Sequence, residues 1–215
     1  MSVTMESQAL GSRRAGEHAV PRRDSQDSVR ANTYSLLAAL LAAPPSEDLL
    51  SLLRDVEVPE GEDGAVAATW GMLSLAARYA SPAVVDDEYH ALFIGITGGE
   101  LNPYGSWYMT GAMMDKPLVY LRRDLQQLGI ERQEGVCEPE DHAAALCEAM
   151  AVIITSPEGL GFGTQKEFFE AHMGPWMEQF FRDMQKAGAA NFYRAVGRLG
   201  EQFIGIERRY LEMPG

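Results

Sequence analysis

Two acidic clusters, each ending in a histidine, hold the side chains of this chain best equipped for chemistry. One is Asp86, Asp87, Glu88 and His90; the other is Glu138, Glu140, Asp141 and His142. Carboxylates with imidazoles are the ligand set of a di-iron bundle, which needs Glu-x-x-His on two helices so that both ligands share a face. His90 follows Glu88 by only two residues, so the two point to roughly opposite sides of a helix. His142 follows Glu138 by four, but Pro139 holds Glu138 at the very end of its helix. The spacing fits acids gathered at the positive end of helix dipoles better than a metal centre. A helical metal-dependent enzyme using both clusters is the competing reading from a different functional class.

Nucleophilic chemistry finds less support. Ser106 lacks the Gly-x-Ser-x-Gly turn after a strand that would expose it as a nucleophile. Cys137 lies five residues before His142 at a helix start, which does not make a thiolate–imidazolium pair. The run Gly159-Leu160-Gly161-Phe162-Gly163-Thr164 has neither the lysine nor the preceding strand of a phosphate loop. The residues therefore imply no catalytic group, no metal and no cofactor.

What remains between the two clusters is a Gly/Pro-punctuated loop, Gly98 to Tyr108, dense in aromatics. Pro103, Tyr104, Trp107 and Tyr108 are the amphipathic residue types that dominate peptide recognition. Asp141 and His142 could supply polar contacts and an anion for a guanidinium. The same residues also fit a plainer reading, in which Tyr104 and Tyr108 fold back on the core and Asp141 caps its own helix.

The elements that must carry these residues are helical throughout. Val29, Tyr34, Leu36, Leu37, Leu40 and Leu41 form one stripe, with Asp27 or Ser28 as N-cap and Pro44-Pro45 as the stop. A short helix follows Ser46, with Leu49, Leu52 and Leu53 inward. Residues 56–64 form a Pro/Gly/acid linker. The spacing predicts further helices over 65–79, from Pro82 to about Gly95, 116–128, from Glu138 to Thr155, 164–172, from Trp176 onward, and 191–211. Alternating β-branched runs do not occur. The expected fold is all-α, a single-domain bundle of about nine to eleven helices over residues 28–215, after a disordered tail at 1–27.

The chain has 215 residues, 46% hydrophobic and 23% charged, as in an ordinary globular domain. A net charge of −13 argues against nucleic acid and anionic membranes as partners and favours a basic peptide. With two cysteines, no Cys-x-x-Cys and no apolar run of membrane-spanning length, a reducing cytoplasm and no membrane insertion are expected. Arg13-Arg14 is not followed by the apolar stretch of an export signal, and we expect it to be tail.

Four motifs, in order, resemble the TorD/DmsD family of redox-enzyme maturation chaperones. They are Tyr89-x-x-Leu92-Phe93, Pro103-Tyr104-x-Ser106-x-Tyr108, Glu138-Pro139-Glu140-Asp141-His142, and His172-Met173-Gly174-Pro175-Trp176 with Phe180-Phe181. The resemblance covers residues from about 28 to 210. It implies a TorD-like all-α fold and a cytoplasmic chaperone that binds the twin-arginine signal peptide and apo form of a molybdenum-containing oxidoreductase until cofactor insertion is complete. Carried over by motif, Pro103, Tyr104, Ser106 and Tyr108 would shape a signal-peptide groove, with Pro139, Asp141 and His142 at the peptide site, and we expect the adjoining Trp107 and Glu138 to belong to it. The client would be of the formate dehydrogenase type or the dimethyl sulfoxide/trimethylamine N-oxide reductase type. A nitrate-reductase-type assembly chaperone is the nearby alternative. The family also includes monomers and domain-swapped dimers, for which residues 56–64 or 156–163 could act as hinge.

Overall fold

Proline and glycine set the helix boundaries. Ser46 Oγ accepts the Leu49 N–H at 3.2 Å to open one helix, Pro82 occupies the first position of another, and Gly111 and Gly129 take left-handed φ of 76° and 68° just past helix ends. The computed structural model describes residues 22–56, 64–95, 98–132, 135, 137–156 and 160–213. The expectations for the tail up to residue 21, most of the 56–64 linker, Arg13-Arg14 and part of the 156–163 hinge lie outside these residues.

Ten α-helices are present among the described residues, in keeping with the expected nine to eleven. They are α1 Arg22–Ala42, α2 Glu47–Arg54, α3 Gly64–Tyr79, α4 Pro82–Tyr89, α5 Gly105–Thr110, α6 Lys116–Gln127, α7 Ala143–Thr155, α8 Phe162–Phe168, α9 Met177–Lys186 and α10 Phe192–Glu212. Helices α4 and α8 each continue into a π-helical turn, His90–Ile94 and Phe169–Met173. No helix among the described residues is long and apolar enough to cross a membrane.

The core forms where α1 packs on α7 and α10 packs on α9 and α3. Helices α1 and α10 run in opposite directions. The Tyr193 hydroxyl donates to the Leu40 carbonyl near one end, and Arg30 pairs with Glu207 at the other. Helices α9 and α10 approach closely because Gly197 and Gly200 carry no side chain. A Cβ on Gly200 would stand 2.3 Å from the Phe181 ring, and one on Gly197 would stand 2.9 Å from the Phe181 carbonyl oxygen. One buried polar network crosses this core. Arg30 Nε and Nη2 donate to the two Glu207 carboxylate oxygens at 2.8 and 2.9 Å, Tyr34 Oη donates to the same carboxylate, and Arg30 Nη1 reaches Gln165 and Asp27.

Several boundaries differ from expectation. Helix α1 starts at Arg22, ahead of Asp27, whose carboxylate bonds to Arg30 one turn on. On α2 the buried leucines are Leu50 and Leu53, while Leu52 faces outward. The expected loop through Tyr108 is helical from Gly105, and α7 opens at Ala143, later than Glu138. These last two shifts have one cause, which lies in the site itself.

Candidate functional site

A first helical turn leaves backbone N–H groups without partners. In α5 the donor on Ser106 is met from 35 residues away, by Asp141 Oδ2 at 2.8 Å. The Asp141 carbonyl accepts the Gly105 N–H at 2.9 Å, the Pro103 carbonyl accepts the Ala143 N–H at 2.8 Å, and Tyr104 and His142 form an antiparallel bridge. The aromatic segment and the second acidic cluster are thus zipped together, and Asp141 caps α5 and not its own helix. His142 caps α7, its Nδ1 accepting the Ala144 N–H at 3.1 Å.

Residues named from the sequence fall into two groups here. Trp107 and Glu138 are exposed, and Tyr104, Tyr108 and Pro139 are half-buried. Pro103, Ser106, Asp141 and His142 are buried. Tyr104 meets the His142 ring edge-on with centroids 5.2 Å apart. Tyr108 stacks on Trp176 at 5.3 Å and its hydroxyl donates to Asp183 Oδ2, so that burial, with Asp183 adding to it, raises its pKa. Gly105 suits this packing, since a Cβ there would lie 3.0 Å from Trp176 Nε1 and the indole would have to give slightly. Glu140 forms an ion pair with Arg122 at 2.8 Å. The His172–Trp176 motif serves the core beneath: Trp176 Nε1 donates to the His172 carbonyl, and His172 Nε2 meets Asp124 Oδ2 at 3.0 Å.

Two buried side-chain oxygens of this region lack a partner, Asn102 Oδ1 and Asp141 Oδ1, and of these Asp141 Oδ1 belongs to a carboxylate. Asp141 is 3% exposed, Oδ2 holds Ser106, and Oδ1 is buried without a hydrogen bond. A buried carboxylate oxygen left unsatisfied is costly, so it marks where a donor would be most strongly taken up.

The first cluster is put to other use. Glu88 is buried and receives the N–H groups of Asn191, Phe192 and Tyr193, while Asp86 and His90 sit exposed one turn apart. Among the described residues no three His, Cys, Asp or Glu side chains are placed to hold a metal ion. Cys137 is exposed, whereas Cys147 is buried in α7, where burial pushes its thiol pKa up.

Burial holds the His142 imidazole neutral, pushing its pKa down to about 4 against the pull of the Asp141 carboxylate. A histidine whose folded pKa lies below its unfolded value contributes its stability fully above about pH 6.5 and loses it as pH falls toward 4. We expect unfolding free energy to drop by about 3 kcal/mol over that window from His142, because the unfolded chain takes up a proton there that the buried imidazole does not. Burial lowers His172 as well, with Asp124 opposing, and it adds in the same direction. Urea melts at pH 7.5, 6 and 5 check this: His142→Asn, which keeps a cap, should flatten much of the slope.

The sequence reading missed a cavity of about 580 Å³ between α1, α3 and α10, lined chiefly by Val29, Val66, Trp70, Leu199, Phe203 and Ile206. Its residues come from three distant segments, so no local pattern announces it. Arg30 and Glu207, at its margin, are already paired, which leaves the cavity without the unmet acceptor that Asp141 has.

A family model described as the nitrate reductase delta subunit matches residues 60–182. The chaperone protein TorD of Vibrio parahaemolyticus is 25% identical over 149 residues, covering 65% of this chain and 65% of that protein. TorD of Vibrio cholerae is 27% identical over 119 residues, 51% of this chain and 54% of that one. The chain thus spans between about half and just under two thirds of the length of these relatives. A crystal structure described as a candidate redox enzyme maturation protein from Archaeoglobus fulgidus matches with a TM-score of 0.51 at 17% identity, over 90% of this chain and 99% of that one, a likeness of fold.

Proposed function

The chain belongs to the nitrate reductase delta subunit family, the TorD-like group that its motifs resembled, and from that membership we propose that it is a cytoplasmic chaperone for a redox enzyme, not itself an enzyme. Its ligand is the twin-arginine signal peptide of an apo-molybdoenzyme, held at the junction of residues 103–108 with 138–142. The observation that supports this most is the unpartnered Asp141 Oδ1. A guanidinium is the donor best suited to a buried carboxylate, because it stays charged and offers several N–H groups in a planar fork. Trp107 lies exposed on the α5 segment that Asp141 caps, offering apolar contact close by. A chain of net charge −13 would hasten the approach of a basic peptide.

Asp141→Asn tests the reading with little disturbance of the fold. The amide keeps one oxygen for the Ser106 N–H but replaces the unpartnered acceptor with a donor. Affinity for an Arg-Arg peptide with an apolar tail should fall by about 1.5–3 kcal/mol, or roughly ten- to a hundredfold. Calorimetric affinity within twofold of wild type, with circular dichroism unchanged, would sink the assignment. The family description itself favours a second reading, a nitrate-reductase-type client recognised by an N-terminal peptide that is not exported. For such a peptide, replacing its arginines should leave binding intact.

A further inference from the structure

Among the described residues, six of the fifteen exposed large apolar side chains fall within fourteen residues: Trp107, Met109, Met113, Met114, Val119 and Tyr120. They flank the turn between α5 and α6. Three are methionines, whose unbranched, polarisable side chains adapt to irregular apolar shapes and recur on surfaces that bind varied peptides.

The turn is bound to Asp141 through one residue. Ser106 is fully buried; its N–H donates to Asp141 Oδ2, and its Oγ accepts the Met114 N–H at 3.1 Å. Both polar groups of Ser106 are thus engaged within the protein, one by the acid and one by the turn. Ser106 acts as a clip between the acid and the turn. Met114 is held at φ 54°, the only described non-glycine residue with positive φ, with its side chain 67% exposed. A long side chain in the left-handed region is uncommon and persists where its surroundings over-determine it. Gly111, at φ 76°, ends α5 so that the turn can form, and Thr110 Oγ1 donates back to the Ser106 carbonyl.

We propose that Met113 and Met114, with Trp107 and Met109 beside them, form a deformable apolar platform that receives the residues next to an arginine seated at Asp141. The occupant is a peptide in which a guanidinium adjoins a short apolar run of unspecified shape. The unmet acceptor names the first half of that ligand, and the methionine turn, two hydrogen bonds away, names the second. This rests on the peptide-binding reading above and adds to it the element that selects for apolarity and not for sequence.

The test uses the full chain and two synthetic peptides, Arg-Arg followed by five leucines and Arg-Arg followed by five serines. Wild type should bind the leucine peptide at least tenfold more tightly. Met113→Gln with Met114→Asn keeps side-chain length at one position and tolerates the left-handed backbone at the other. That variant should lose at least fivefold for the leucine peptide and less than twofold for the serine peptide, while Met113→Leu retains the preference. If the polar double variant binds the leucine peptide like wild type while Asp141→Asn weakens both peptides, the platform is refuted and the Asp141 reading stands. If Asp141→Asn is neutral, the reading beneath fails and the platform with it. If sedimentation shows that the double variant changes self-association and not peptide affinity, the face is an interface between copies, and the proposal is wrong.

Discussion

Replacing Glu207 with alanine is expected to cost about 3–5 kcal/mol of unfolding free energy, because it strands a buried guanidinium. Arg30 is 6% exposed and Glu207 0%. Burial works against the Arg30 charge, yet the hydrogen bonds and charge of Glu207 hold its pKa above the ordinary value. Removing Glu207 leaves Arg30 with Asp27, Gln165 and the face of Tyr210 at 4.3 Å, which cannot replace a bidentate carboxylate. The Tyr34 hydroxyl loses its acceptor in the same step. For a domain of this size the melting temperature should fall by about 10 °C. A double variant, Arg30→Met with Glu207→Leu, should recover much of the loss, since an apolar pair of similar volume carries no desolvation penalty. Thermal and urea melts of the three proteins decide it. A loss under about 1 kcal/mol for Glu207→Ala would mean that water reaches the pair.

That network also marks what a sequence pattern conceals. Arg30 and Glu207 are 177 residues apart, and each sits on a helix that reads as ordinary amphipathic repeat. The helices themselves were legible, because leucine spacing and Pro/Gly punctuation act within one or two turns. Leu118, Leu121 and Leu125, three and four residues apart, are buried together on α6, which runs between Asp115 and Gly129. Errors came where a cap is supplied from elsewhere in the chain. Asp141 looked like the cap of the helix that follows it, but its carboxylate serves α5 and leaves that duty to His142. The same long-range bond goes with the helical form of residues 105–108, the last four of an apparent eleven-residue loop. Side-chain types at 103–108 and 138–142 suggested one site and the backbone bridge joins them, yet burial of Ser106 and Asp141 could not be read from residue type. The methionine turn went unremarked because methionines near a helix end read as core.

Glu88 carries the same lesson in its most testable form. Its neighbours Asp86, Asp87 and His90 gave it the appearance of a metal ligand, and the structure uses it to cap α10 from α4. Oε1 accepts the N–H groups of Asn191 and Tyr193 at 2.8 and 2.7 Å, and Oε2 accepts that of Phe192 at 3.1 Å. Glu100 does the same for Gly188 and Ala189, so two acids from outside hold the α9–α10 connection. In Glu88→Ala three donors at a largely buried helix start lose their acceptor, along with the negative charge facing the positive end of α10. At about 1–3 kcal/mol for each donor left unmet, and with water recovering part, the expected cost is about 3 kcal/mol. Glu88→Gln keeps one oxygen and should lose roughly half as much, whereas Asp87→Ala, on the exposed neighbour, should stay within about 0.5 kcal/mol. A metal site would order these variants differently, since ligation would engage Asp87 as readily as Glu88. Denaturant melts with and without chelator separate the two. Equal losses for Asp87→Ala and Glu88→Ala that vanish in chelator would defeat the capping account, while a chelator-independent loss confined to Glu88 is what a helix cap delivered from another helix requires.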